Sequence, residues 1–161
     1  MKEEIYMGKL IQGQMEKDGR KAKWLSDKIK CTPSDIYWMY QQKNITIEQL
    51  IKICIHLKTD FFSYYSAYIH KQVRFPEKMQ YIDGEIHIGK LIKNQMEKEG
   101  RKAKWLADKI FCVKSNIYRI YQRKYIDIEQ LIRICICMEI DFFANYSEYV
   151  CSQIQMRSNN M

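Results

Sequence analysis

An offset of 81 residues lays positions 5–69 onto positions 86–150, and 41 of the 65 aligned pairs are identical. GRKAKWL at 19–25 returns unchanged at 100–106, IEQLI at 47–51 returns at 128–132, and DFF at 60–62 returns at 141–143. A chain that repeats itself so closely makes the same local structure twice. Two copies of so long a unit are too few for a solenoid, so the repeat predicts two sister domains, 1–66 and 86–150. Between them, 67–85 reads as a linker, because Arg74, Phe75, Pro76 and the turn-forming pair Asp83-Gly84 would stop a helix running out of the first copy. The polar, unpatterned tail 151–161 is expected to fray.

Only six glycines and two prolines interrupt the chain, and its apolar residues recur at helical spacing, which predicts an all-α fold of five short helices per copy. In second-copy numbers, the first helix spans about Ile86 to Glu99, with Ile88, Leu91, Ile92 and Met96 facing inward and Gly100 as a left-handed cap. The second carries Ala103, Leu106, Ala107 and Ile110. After a break at 111–113, the third turns Ile117, Ile120 and Tyr121 inward. The fourth opens with Asp127 and Gln130 at capping-box spacing, as do Thr46 and Gln49 in the first copy. The fifth is DFFANYSEYV. Trp24 and Trp105 are expected to anchor the core.

The net charge of +8 favours a polyanionic partner, nucleic acid or an anionic surface. The opening MKEEIYMGKLIQGQ is too acidic and polar for a secretory signal, and no run nears the roughly 18 apolar residues of a membrane span. A cytoplasmic protein with no membrane partner is expected. None of the six cysteines forms a CxxC pair, and Cys54 and Cys135 sit inside apolar patterns, so they read as small core residues and not as metal ligands. His56, His70 and His87 accompany no nucleophile pattern, and no phosphate-cradling loop is present. No enzymatic activity, cofactor or metal is expected.

The stretches Trp24–Lys43 and Trp105–Lys124 resemble the helix-turn-helix of the Cro/C1-type, lambda-repressor-like family, a bacterial and phage DNA-binding module. Leu106-Ala107, Ile117 and Ile120 carry the match, together with the five-helix order, over about 65 residues of each copy. The resemblance implies two tandem five-helix lambda-repressor-like domains, each with its third helix in the major groove and its second across the backbone. It also implies a bacterial protein that is nucleoid-associated when bound. Departures are visible in the turn, where the family's Gly is replaced by Lys30 and Phe111, which would hold a backbone conformation unfavourable for them. Thr32-Pro33 supplies a cap for the third helix, whereas Val113 does not.

The residues themselves support a reading surface. Lys114, Ser115, Asn116, Tyr118, Arg119 and Gln122 lie off the inward stripe of the second copy's third helix, with Arg123 just after it, and these are types that pair with base edges and phosphates. Ser34, Tyr37 and Trp38 hold the corresponding places in the first copy. Arg20, Lys21 and Lys23, with Arg101, Lys102 and Lys104, read as backbone clamps ahead of the second helix. From Lys114 to Lys124 the charge is +4 without an acid, whereas Pro33 to Lys43 sums to zero, since Asp35 offsets Lys43. The expected function is sequence-specific binding of double-stranded DNA in transcription regulation, chiefly through the second copy. The alternative is a protein-interaction adaptor or oligomerisation module on degenerate copies. One chain would act as a covalent pseudo-dimer, or else two chains would associate through the aromatic fifth helix, Phe142, Phe143, Tyr146 and Tyr149.

Overall fold

The computed structural model describes residues 4–80 and 84–160. Ten helices are present among them: α1 Met7–Lys17, α2 Ala22–Ile29, α3 Pro33–Tyr40, α4 Ile47–Leu57 and α5 Phe62–Gln72, then α6 Ile88–Lys98, α7 Ala103–Lys109, α8 Lys114–Gln122, α9 Ile128–Met138 and α10 Phe143–Asn159. Each copy of the repeat therefore supplies five. The expected inward stripes are in place: Ile88, Ile92 and Met96 on α6, Leu106 and Ala107 on α7, and Ile117 and Ile120 on α8 are buried. Leu91 and Tyr121 are half-buried. Cys54 and Cys135 are core residues, whereas Cys31, Cys112 and Cys137 are half-buried and Cys151 is exposed. No helix among the described residues is long and apolar enough to cross a membrane.

Local chemistry accounts for the helix ends. Thr32 forms a reciprocal capping box with Asp35 and Pro33 follows at the first helical position, so α3 starts sharply. Val113 offers α8 no side-chain cap. Thr46 accepts from the Gln49 N–H, but Asp127 accepts from the Glu129 N–H and not from Gln130. Lys30 and Phe111 do hold left-handed turns, at φ 59° and 58°, and so do Lys58 and Glu139 after α4 and α9. All four are residues whose Cβ makes that conformation costly.

The assembly of the halves departs from two independent domains. The fifth helix of each half packs on the fourth helix of the other: α5 lies against α9, α10 lies against α4, and α5 and α10 lie against each other. Phe62 stacks on Tyr146 and Tyr65 stacks on Phe143, both with centroids 5.0 Å apart. Since Phe62 repeats as Phe143 and Tyr65 as Tyr146, the two stacks are one contact seen from both sides of a pseudo-two-fold. Polar contacts obey the same symmetry. Ser147 Oγ donates to Asp60 at 3.2 Å, and Ser66 Oγ donates to Asp141, where His70 Nε2 also lies at 3.1 Å. Phe61, Phe62, Tyr65, Phe142, Phe143 and Tyr146 are fully enclosed, so they belong to a core and to an interface at once, within one chain.

Two boundaries shift accordingly. The linker expected from residue 67 begins later, because α5 continues to Gln72 to cover its cross-packed face. The expected turn at Asp83-Gly84 falls partly outside the described residues, with Gly84 at φ 118°. Ahead of it, the Glu77 N–H donates to the Glu139 carbonyl and the Asp141 N–H donates to the Glu77 carbonyl, both at 2.8 Å, which clips the connection onto the α9–α10 turn. The tail does not fray at residue 151. It extends α10 to Asn159, with Ser152, Gln153 and Ile154 half-buried.

Candidate nucleic-acid interface

Burial of one face of α3 and α8 decides what the other face offers. On α8, Ile117 and Ile120 are enclosed, and Lys114, Ser115, Tyr118, Arg119 and Gln122 are exposed, with Asn116 half-buried. Arg123 caps the helix in an extended conformation and is exposed. On α3, Ile36, Met39 and Tyr40 point inward, leaving Ser34, Tyr37 and Trp38 outside, with Trp38 67% exposed. An indole so uncovered has no role in this core. Tyr37 packs edge-on against Tyr40, and Tyr118 likewise against Tyr121, at 6.2 Å in both pairs. The phenols are thereby held upright on the two helices at equivalent positions.

Asp35 is engaged locally. The Thr32 backbone N–H and hydroxyl hold its carboxyl below the usual range, so it stays ionised and keeps the outer face of α3 less attractive to anions than that of α8.

The basic residues just before and at the start of α2 and α7 are all exposed, and several have partners inside the chain. The Arg20 guanidinium lies 3.7 Å from the Trp24 ring centroid, and Arg101 repeats this on Trp105 at 3.7 Å. Trp24 and Trp105 are thus half-buried under an arginine and do not lie deep in the core. Stacking fixes the plane of each guanidinium and leaves the Arg20 N–H edge for an anion, whereas Arg101 Nε also pairs with Glu99 at 3.6 Å. Lys23 pairs with Asp27 at 3.2 Å and Lys104 with Asp108 at 3.6 Å. Exposed pairs of this kind contribute about 0.5 kcal/mol or less, so either lysine can exchange its partner for a phosphate. Lys21 and Lys102 cap α2 and α7 without a side-chain bond.

What orients α3 and α8 escaped the sequence reading. The Met7 and Gly8 N–H groups at the start of α1 donate to the carbonyls of Lys43 and Gln42, at 2.9 and 3.0 Å. Ile88 and Gly89 do the same for Lys124 and Arg123, at 3.1 and 3.0 Å. A Cβ on Gly8 would meet the Met39 carbonyl oxygen at 2.3 Å, and one on Gly89 would meet that of Ile120 at 2.2 Å. The only available signal was a glycine at the same place in both copies, inside an otherwise apolar stripe. Lys43 and Lys124, at the exits of α3 and α8, pair with Glu4 and Glu85. Beyond them the two α3–α4 and α8–α9 loops line one shared pocket, with Asn44, Thr46 and Glu48 from one half and Arg123, Tyr125 and Asp127 from the other. The exits of α3 and α8 thus converge on the pseudo-two-fold.

Comparison with protein-family models, curated proteins and solved structures gives no match to this chain.

Proposed function

We propose that the chain is a sequence-specific double-stranded-DNA-binding transcription regulator of the tandem helix-turn-helix kind, in which α3 and α8 enter the major groove and α8 does most of the reading. The observation that carries this is the outer face of α8. Lys114, Ser115, Tyr118, Arg119 and Gln122 stand exposed on a helix whose other face is locked into a core, and no acid occurs between Lys114 and Lys124. Side chains of these types make the bidentate and single hydrogen bonds by which base edges are told apart. The stacked arginines and the lysines at the starts of α2 and α7 supply phosphate contacts, which set orientation without sequence information. Convergence of the α3 and α8 exits on one axis supports two helices offered to one duplex by one chain.

Site selection with the whole chain, followed by anisotropy titration of the enriched duplex, tests the reading. Arg119→Ala is expected to weaken binding by about 1–3 kcal/mol and relax preference at one position of the site, whereas Lys102→Ala should weaken all duplexes alike. Selection that enriches no sequence, with equal affinity for random duplex at physiological salt, would overturn it. One observation favours a second reading for the first half: Trp38 and Tyr37 with Asp35 form a face suited to packing against protein, as in an interaction adaptor. Loss of a protein partner on Trp38→Ala, with DNA binding unchanged, would assign α3 to that role.

A further inference from the structure

The seam between the halves holds a cleft of about 380 Å³, open where the loop after α3 meets α5 and α9. That volume lies toward the small end of ligand sites, roughly 300–1,000 Å³. Tyr65, Tyr68, Ile132 and Ile136 give it an apolar body. The Tyr65 hydroxyl is buried and has no hydrogen-bond partner. Charges on the rim are mostly spoken for: Glu4 pairs with Lys43 at 3.5 Å, and Glu129 accepts from the Asn44 amide at 3.0 Å. Arg133 lines the same cleft with no ion-pair or hydrogen-bond partner among the described residues.

The repeat shows what shape of molecule suits this place. Asn44 corresponds to Tyr125, and Tyr65 to Tyr146. Tyr125 is half-buried against the core, whereas the small amide of Asn44 lines the open cleft. The second half thus carries an aromatic ring at the repeat position where the first carries only an amide. We infer that the open cleft is a binding site for a small aryl carboxylate. The ring lies against Tyr65 and the isoleucines of α9. The carboxylate meets the Arg133 guanidinium, whose planar fork suits two parallel hydrogen bonds to a carboxylate. The cleft spans both halves and includes the residues that follow α3, so its occupancy bears directly on how α3 is held.

Isothermal titration of the whole chain, without DNA, uses 4-hydroxyphenylacetate as probe and tyramine and p-cresol as analogues that keep the ring and lose the carboxylate. The expected result is saturable binding of the acid at one site per chain, with tyramine weaker by about tenfold or more. Arg133→Gln should weaken the acid about tenfold and leave p-cresol unchanged. Asn44→Tyr, which installs the sister half's own residue, should abolish binding of both. No saturation by the acid at millimolar concentration, equal affinity for tyramine, or unchanged affinity in Arg133→Gln would overturn the inference. If Asn44→Tyr disturbs folding, Arg133→Gln alters only an exposed side chain and decides alone. No nucleic acid enters the experiment, so its outcome is separate from that of the DNA-binding reading.

Discussion

Phe111 concentrates two costs in one residue. Its backbone is left-handed at φ 58° and its ring is 96% exposed, so it contributes neither packing nor a favourable conformation. Phe111→Gly is therefore expected to stabilise the chain by about 0.5–1 kcal/mol, the steric relief of the left-handed conformation less the entropy of glycine, read as a raised urea midpoint. The strain was legible from the missing turn glycine, because only local geometry is involved. A buried thiol gives the second residue-scale expectation. Burial pushes the Cys54 thiol from 9.0 up to about 12 and raises Cys135 as well. Below about pH 9 folded and unfolded chains both keep these protons. Above it the unfolded chain releases them first, so stability falls as pH rises toward 12. The urea midpoint should decline across the alkaline range, and more shallowly in the Cys54→Ala, Cys135→Ala double variant.

At the scale of the helix, direction of packing and choice of partner separate what periodicity reveals from what it does not. Spacing alone picked out Leu106, Ile117 and Ile120 as inward residues, and the structure buries all three. The partner of the fifth helix was not legible, for a physical reason. α4 and α9 share IEQLI and the following Ile-Cys-Ile or Ile-Cys-Ile-like face, so α5 finds nearly the same surface on either, and the pattern is silent on which one it uses. The tail was misread on similar grounds: its polar residues carry no stripe, yet cross-packing of α10 carries the helix on to Asn159. Periodicity is equally silent on Gly8 and Gly89, each of which admits a backbone carbonyl where a Cβ would stand. Gly89→Ala should cost at least about 2 kcal/mol, since the obstruction is backbone and cannot rotate away. The same variant should displace the exit of α8, so duplex affinity is expected to fall further than the loss of folded chain explains, measured at a temperature where the variant is fully folded.

For the molecule as a whole, the aromatic fifth helices that would have paired two chains are already paired inside one. Under the proposed function, sedimentation with a selected duplex should give one chain per site. Because α3 and α8 differ at Asp35 and Asn116 and at Trp38 and Arg119, that site should hold two dissimilar half-sites about one turn, roughly 34 Å, apart. Two chains on a symmetric site would contradict this arrangement. The exposure of the candidate residues, complete but for half-buried Asn116, was legible in the sequence, and their framing, which depends on contacts between the copies, was not.

The crossed fifth helices also change how the assembly responds to dilution. Two separate chains that associate to form a reading pair do so in proportion to the square of their concentration, and the pair disappears as the protein becomes scarce. Here the connection through residues 73–80 holds the second half beside the first at a local concentration that does not depend on how much protein is present. The assembled form therefore scales linearly with the number of chains. A cell containing only a few copies holds the same fraction assembled as one containing many, and a half whose surface has drifted in sequence can never be exchanged for a matching one.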